Sequence, residues 1–271
     1  MKLDIGAIWN EATELVRANK EVLAALAGVF FLLPSFAFSL LMPGPQPQPG
    51  DSPERMYAMM TDFYGQAAPW LLAMVLVQAL GQLAGFALLA RSGRITVGEA
   101  LREGLSSMLP YLGTQLIFGL AMALVFAVVV GIGAGSGMVG VAVLLGLIAA
   151  IGLIYVSLRL AMILPVIAIE RVRNPIAVFK RSWDLTEGNA GRILLFMLLL
   201  FVAFIVAAIV VGIVTGVIAG LFGGTRAVEL AGAATSSILG AGFTVYVIAA
   251  VAAMHRRLSG GSQDQHAETF G

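Results

Sequence analysis

Long apolar runs constrain this chain more than any other feature. Six of them follow one another along the 271 residues, each 20 residues or more in length. A helix of about 20 residues crosses a hydrocarbon layer of ~30 Å, because each residue advances it by ~1.5 Å. The runs are continuous and do not alternate with polar residues, which argues against a membrane β-barrel. We therefore predict an all-α polytopic membrane protein with six transmembrane helices, at residues 22–42, 68–90, 111–133, 138–169, 193–222 and 228–254.

The composition agrees with this fold and argues against most chemistry. Hydrophobic residues make up 59% of the chain and charged residues only 11%, whereas about a quarter of the residues in soluble domains are charged. There is no cysteine, and the two histidines, His255 and His266, lie near the C-terminus. No sequence motif for a metal or a nucleotide is present, and the only Asp or Glu inside a predicted span is Glu229, at the start of the sixth. We therefore predict a non-catalytic protein with no metal site, no cofactor and no nucleic-acid partner.

The positions of Lys and Arg predict the orientation. The chain has sixteen Lys and Arg residues, and thirteen of them fall on one side of the six predicted spans. They lie before the first span, after the sixth, between spans two and three, and between spans four and five. Arg55 and Arg226 lie on the opposite side, and Arg159 falls inside a span. Because positive residues concentrate on the cytoplasmic side, we expect both termini to be cytoplasmic. A cleaved signal peptide is the alternative for the first run, but the preceding segment contains four acidic residues and lacks a short basic region.

Amphipathic segments precede the odd-numbered spans on the predicted cytoplasmic side. The first covers residues 5–16, the second opens with a capping box of Thr96 and Glu99, and the third starts at Asn174 and Pro175. In the third segment Ile176, Phe179 and Trp183 are expected on one apolar face. A surface helix followed by a transmembrane hairpin would thus occur three times. An internal threefold repeat and the independent use of surface helices are both compatible with this pattern. The polar tail at 259–271 is predicted to be disordered.

Arg159 is the sharpest polar outlier, since it lies ten residues before the end of the fourth run. A guanidinium at that depth needs a partner or water. Gln78, Gln82 and Gln115 are the candidate partners, and Tyr155 lies one helical turn earlier on the same face. Alternatively, the part of the helix that crosses the bilayer ends near Arg159, and the side chain reaches lipid phosphates while the chain continues beneath the interface.

A second basic group lies between spans four and five. Lys180, Arg181 and Arg192 flank a segment that contains Trp183, Gly188 and Asn189. Gly188 suits a helix end that needs a positive φ, and Asn189 can cap the next helix, so the segment predicts a tight helix-to-helix corner. The basic side chains are interpreted either as contacts to anionic lipid or phosphate, or as charges that set the topology.

Small residues recur at four-residue spacing in three spans. Such faces let helices approach closely, and a conduction pathway is the less favoured interpretation. The residues are Gly81 and Gly85 in span two, Gly212, Gly216 and Gly220 in span five, and Gly232, Ser236, Gly240 and Thr244 in span six.

Residues 159–192 carry a resemblance to a known family. The two stretches are Arg-Leu-Ala-Met-Ile-Leu-Pro-Val-Ile-Ala-Ile-Glu from Arg159 and Ala-Val-Phe-Lys-Arg-Ser-Trp-Asp-Leu-Thr-Glu-Gly-Asn from Ala177, with Arg192 opening the next span. They resemble the six-helix membrane domain of some bacterial glycerophosphodiester phosphodiesterases and the related YciC-like inner-membrane proteins. The soluble catalytic barrel of those fusions has no counterpart here, so the resemblance implies a non-catalytic membrane module linked with envelope or lipid homeostasis.

Taken together, these patterns predict a module that binds or organises membrane lipid. Arg159, Lys180, Arg181 and Arg192 are the predicted contacts to anionic head groups. One alternative is a small-solute transporter or channel with a cavity bordered by Gln78, Gln82, Gln115 and Arg159. The other is an assembly partner or scaffold, in which the small-residue faces bind another membrane protein or a second copy.

Overall fold

The computed structural model describes residues 2–42, 44–45, 48–90 and 95–270, with side chains described as far as residue 260. Arg91 and Arg94, which contribute to the predicted orientation, lie outside the described residues. All regular secondary structure in the described residues is helical, so the predicted all-α class is confirmed.

Nine α-helices and one π-helical segment make up the described part of the chain. They are α1 (Ile5–Ala18), α2 (Lys20–Ala27), the π segment (Gly28–Leu32), α3 (Leu33–Leu41), α4 (Pro53–Ala90), α5 (Val97–Gly135), α6 (Val139–Arg159), α7 (Ile163–Ala168), α8 (Pro175–Leu185) and α9 (Ala190–Phe270). The disorder predicted for residues 259–271 stays a prediction.

Several helical stretches have the length and composition of membrane spans. Within the described residues they are Lys20–Leu41, Pro53–Ala90, Val97–Gly135, Val139–Ala168 and Ala190–Gly260. These long apolar helices are those of a membrane protein, in agreement with the sequence.

The last of these stretches, in α9, is interrupted at Gly224. This residue has φ 65° and ψ −164°, which is outside the helical region. Residues at similar distances along the chain on either side of it come together, since the Thr215 and Thr235 hydroxyl oxygens are 3.4 Å apart and the Phe204 and Phe243 ring centroids 4.3 Å apart. The chain therefore folds back at Gly224, and α9 consists of two packed limbs, residues 190–223 and 225–260.

The fourth predicted span is also interrupted. We expected one helix over 138–169, but α6 ends at Arg159 and the short helix α7 follows after a turn. Pro165 gives a physical reason, because it has no amide hydrogen to donate to the preceding turn and its ring disfavours a continuous helix there. Residues 163 and 165–168 of α7 are buried in the protein.

The protein core lies at one end of the bundle. The buried residues come from the C-terminal part of α4, the start of α5, α7, the inner faces of α1 and α8, and the two ends of α9. Along the rest of α5, along α6 and along most of the first limb of α9, the apolar side chains are exposed. Close packing thus fixes the end that is rich in Lys and Arg, and the remaining apolar surface suits contact with hydrocarbon.

The three amphipathic segments are positioned in different ways. α1 buries Ile8, Ala12 and Leu15, and its Thr13 hydroxyl lies 3.0 Å from the Tyr246 hydroxyl on the second limb of α9. The capping box of Thr96 and Glu99 is present, but α5 continues into the membrane span without a break.

The third amphipathic segment, α8, has the predicted cap at Asn174. Val178, Ser182 and Leu185 are buried, whereas Ile176 and Trp183 are exposed. The residues expected on one apolar face are therefore not those that pack on the protein core, because helical spacing shows which residues share a face and not what covers them.

The small-residue faces divide into packed and open ones. A Cβ atom added at Gly81 would lie 2.5 Å from the Phe30 Cβ, and one at Gly85 would meet Ile248 at 3.4 Å. For the glycines of α9 at positions 212, 216, 232 and 240, no neighbour among the described residues lies within 4 Å of such an atom. The packing interpretation therefore holds for α4 and not for these positions of α9.

Replacing Gly81 should destabilise the bundle. In Gly81→Ala the new methyl group would overlap Phe30, whose Cβ is fixed by the backbone, and overpacking of this kind costs about 1–3 kcal/mol. We expect a lower midpoint of thermal unfolding for the detergent-solubilised variant. Gly212→Ala is the matched control, because its methyl group would meet open space and alanine favours the helix. Equal midpoints for Gly81→Ala and the wild type would contradict the close helix approach.

Candidate functional site

The end of α6 is capped by side chains of α8. The carbonyl oxygen of Arg159 accepts hydrogen bonds from the Ser182 Oγ and the Thr186 Oγ1, each at 3.0 Å. The amide of Met162 in turn donates to Ser182 Oγ at 3.2 Å. These groups are buried, and the hydroxyls satisfy backbone groups that a helix end leaves without partners. The roles of Ser182 and Thr186 were not predicted from the sequence.

The Arg159 side chain lies against an aromatic pair. In α6, all of whose residues are described, Arg159 is the only buried residue, with 5% of its surface exposed. Its guanidinium carbon is 4.5 Å from the centroid of the Trp183 ring, and Tyr155 contacts Trp183 edge-on at 6.0 Å. We call Tyr155, Arg159 and Trp183 the Arg159 site. A cation over an indole face is attractive, but it uses none of the five guanidinium hydrogens.

One atom of this guanidinium has no partner within the described part of the chain. The Nε of Arg159 is buried and makes no hydrogen bond there. Half of the Tyr155 surface and 38% of the Trp183 surface are exposed, so the aromatic rings border open surroundings. The site therefore combines a buried, incompletely satisfied cation with two rings that can face the membrane interface.

The glutamines proposed as partners of Arg159 lie elsewhere. Gln78 donates to the Ser35 hydroxyl at 3.4 Å, between α4 and α3. Gln82 is half-buried one turn further along α4. Gln115 is exposed on α5 and lines a lateral cleft of about 280 Å³ with Tyr111. Of the predicted polar residues, the described contacts bring only Tyr155 to Arg159, by way of Trp183.

The predicted basic cluster is divided by the fold. Arg181 forms a two-pronged ion pair with Glu170, with Nε–Oε2 and Nη2–Oε1 distances of 2.7 and 3.0 Å. Arg192 donates to the Leu3 carbonyl at 2.8 Å. Lys180 is exposed on α8. Arg181 and Arg192 thus hold the structure together, and Lys180 is the member left at the surface.

Glu170 joins three segments of the chain. Besides Arg181 of α8, it contacts His255 of α9, whose Nε2 lies 2.9 Å from Oε1. Burial raises the pKa of Glu170, but the hydrogen bonds from His255 and Arg181 outweigh burial and lower that pKa to about 2. The same ion pair raises the pKa of Arg181. We call Glu170, Arg181 and His255 the Glu170 clamp. An acidic residue at the end of an apolar run is the only feature of the sequence that pointed to this clamp.

The predicted corner is present and holds the N-terminal segment. Gly188 has φ 70°, as expected, and Asn189 directly precedes α9. The Asn189 Oδ1 accepts a hydrogen bond from the Leu3 amide at 2.9 Å, while Arg192 binds the Leu3 carbonyl. Both backbone groups of buried Leu3 are therefore satisfied by the corner, which fixes the start of the chain against α9.

Residues 15–257 match the Family of unknown function (DUF7544). The chain belongs to this family. No curated protein and no solved structure matches the chain. The resemblance to the phosphodiesterase-associated membrane domain stays a prediction. Within the described residues, no group of three or more His, Asp and Glu side chains is arranged to hold a metal ion.

Removing the charge of Glu170 should destabilise the protein in a pH-dependent way. The pKa of this carboxylate falls from 4.5 to about 2 on folding, which corresponds to a contribution on the order of 3 kcal/mol at neutral pH. That contribution is present above pH 4.5 and is lost as the pH falls towards 2. Glu170→Gln should therefore unfold at a lower temperature than the wild type at pH 7, and the difference should shrink below pH 4.5.

The matched control is Glu187→Gln, which removes a charge from an exposed carboxylate near the same corner. Its unfolding midpoint should stay close to that of the wild type at every pH. A difference between Glu170→Gln and the wild type that is constant from pH 7 to pH 3 would contradict the Glu170 clamp.

Proposed function

We propose that this protein is a non-catalytic module of the bacterial inner membrane that binds or organises lipid, with a role in envelope or lipid homeostasis. The observation that carries the proposal is the Arg159 site. A 21-residue apolar helix buries a single residue, and that residue is an arginine with an unpartnered Nε. Arginine stays charged at any physiological pH, so the site calls for an acceptor that the described residues do not supply.

A lipid phosphate meets this requirement. Its oxygens accept hydrogen bonds from the planar guanidinium fork and offset the charge. The end of α6 is the expected depth for a head group, because a helix of 21 residues is about as long as the hydrocarbon layer is thick. Trp183 and Tyr155 support the same depth, since Trp and Tyr favour the membrane interface.

The proposed topology has six spans with both termini in the cytoplasm. The break at Gly224 supports two spans within α9, because its limbs pack side by side. The end of α4, the start of α5, the end of α6 and both ends of α9 contribute to one packed core. This core lies at the end of the bundle that is rich in Lys and Arg. Such an end is expected to face the cytoplasm. A threefold repeat of surface helix and hairpin remains part of the proposal.

A role as an assembly partner is the second candidate. The open glycine positions of α9, at residues 212, 216, 232 and 240, favour it, because such faces allow another helix to approach closely. A transporter or channel is less favoured, since Gln78, Gln115 and Arg159 make their contacts at three separate positions.

The topology can be tested by single-cysteine labelling, because the chain contains no cysteine. In intact cells a membrane-impermeant maleimide should label Glu54→Cys and Arg226→Cys. It should label Lys2→Cys and Lys180→Cys only after the membrane is made permeable. Labelling of Glu54→Cys without Arg226→Cys would contradict two spans within α9. Labelling of Lys180→Cys in intact cells would show that the orientation is the reverse of the proposed one.

Loss of the Arg159 guanidinium should reduce bound anionic lipid. Protein purified in a neutral detergent would be extracted, and its phospholipids counted per chain by mass spectrometry. We expect fewer anionic phospholipids with Arg159→Ala than with the wild type, because their phosphates lose a charged donor. Arg17→Ala is the matched control, because it removes an exposed cation on α1 that belongs to neither predicted basic site. If Arg159→Ala is folded by size-exclusion chromatography and retains the same lipids, the Arg159 site does not bind them.

A further inference from the structure

A polar cleft lies at the start of α5, at the packed end of the bundle. It has a volume of about 350 Å³ and is bordered by α5, the end of α7 and the segment 169–174 that leads to α8. Its polar lining includes Arg102, Ser106, Ser107, Arg171 and Arg173. Three arginines from two segments far apart in sequence therefore meet at one opening. We call it the α5 cleft.

The carboxylates of the α5 cleft are already engaged, whereas two of its arginines carry charge without a carboxylate partner. Glu99 accepts from the Thr96 amide in the capping box at 2.8 Å. Glu103 pairs with Arg171 at 2.9 Å. Arg173 binds the carbonyl and hydroxyl oxygens of Ser106, which are neutral.

Arg102 is the second such arginine. It is exposed at the cleft and forms no hydrogen bond or ion pair within the described part of the chain. The described lining of the cleft thus has three arginines against the two carboxylates Glu99 and Glu103, a net charge of +1. Arg102 and Arg173 form no ion pair with a carboxylate within the described residues.

A hydroxyl group also faces this opening. Ser107 lines the α5 cleft, and only 4% of its surface is exposed. Its hydroxyl makes no hydrogen bond within the described residues, and its oxygen is not among the fully buried atoms without a partner, so it is open to the cleft. A ligand with acceptor oxygens in the cleft would receive its hydrogen.

The wall that carries Arg171 and Arg173 is held in position. Glu170, the residue before Arg171, is bound to α8 through Arg181 and to α9 through His255. Arg171 itself has φ 58°, a conformation that is uncommon for residues other than glycine. The Glu170 clamp therefore fixes the turn that aims both arginines back at α5, so the cleft is preorganised.

We propose that the α5 cleft binds a phosphate-bearing anion through Arg102, Arg173 and the Ser107 hydroxyl. Arginine forks match the oxygens of a phosphate ester, and hydroxyl donors complete its hydrogen bonds. A volume of about 350 Å³ holds a small phosphorylated molecule or the head group of a lipid. The α5 cleft shares no residue with the Arg159 site, so this proposal does not rest on the proposed lipid role.

The test is the thermal unfolding midpoint of the full-length protein in a neutral detergent at constant ionic strength. The probes are glycerol 3-phosphate and short-chain phosphatidic acid, with glycerol plus sodium chloride and short-chain phosphatidylcholine as their references. A ligand that binds only the folded state raises the midpoint, and above the dissociation constant the rise grows with the logarithm of the ligand concentration. We expect Arg102→Gln to weaken the apparent affinity at least about tenfold, and Ser107→Ala to weaken it about threefold.

Arg17→Gln is the matched control, because it removes an exposed cation on α1, outside the α5 cleft, and should respond like the wild type. A response to glycerol 3-phosphate that depends on Arg102 would identify a soluble ligand. A response to phosphatidic acid alone, with the same dependence, would identify a lipid head group. Equal responses of the wild type and Arg102→Gln, or no response to either probe, would overturn the proposal. Arg159→Ala should keep the cleft response, which separates failure here from failure of the lipid role.

Discussion

The structure depends on the absence of water from the hydrocarbon layer. Each backbone amide and carbonyl there must be paired within its own helix, so long helices form. Interruptions of the helices, which expose backbone polar groups, concentrate near the helix ends. The interruptions follow this rule. The break at Gly224 falls at the turn of the α9 hairpin, and the end of α6 at Arg159 is satisfied at once by the hydroxyls of Ser182 and Thr186. An unsatisfied carbonyl at that position would be costly in a medium of low dielectric constant.

Polar bonds hold the packed end of the molecule together, whereas along the rest of the bundle the apolar side chains are exposed. The Glu170 clamp joins the turn after α7 to α8 and α9, and the corner at Asn189 and Arg192 holds Leu3. Arg257 pairs with Glu11 at 2.8 Å, which ties the end of α9 to α1. Basic residues that would be interpreted only as topology signals therefore also stabilise the fold. The same residue can do both, because the orientation depends on the position of a charge and the fold depends on its partner.

The arginines thus fall into two groups, those that are bound within the protein and those that keep unused hydrogen-bond donors. Arg181, Arg192 and Arg257 are used within the protein, whereas Arg159 stacks on Trp183 with a buried Nε that has no described partner. Arg102 and Arg173 border the α5 cleft and form no ion pair with a carboxylate within the described residues. Two different settings result, one beside exposed aromatic rings at the end of a membrane helix and one in a polar cleft. Membership of a family of unknown function does not indicate whether the Arg159 site or the α5 cleft binds a ligand.

Local sequence patterns predicted the helical class, the apolar stretches, the capping residues Thr96 and Asn174, the turn at Gly188 and the outlying position of Arg159. Each of these depends on neighbours within a few residues, and such neighbours impose a recognisable spacing. The folded structure was needed to show that His255 contacts Glu170 and that Arg173 reaches Ser106. It also showed which face of α8 is buried and that Trp183, rather than a glutamine, covers Arg159. These contacts join residues on different helices, and no local pattern encodes them, because they depend on how packed helices bring distant parts of the chain together.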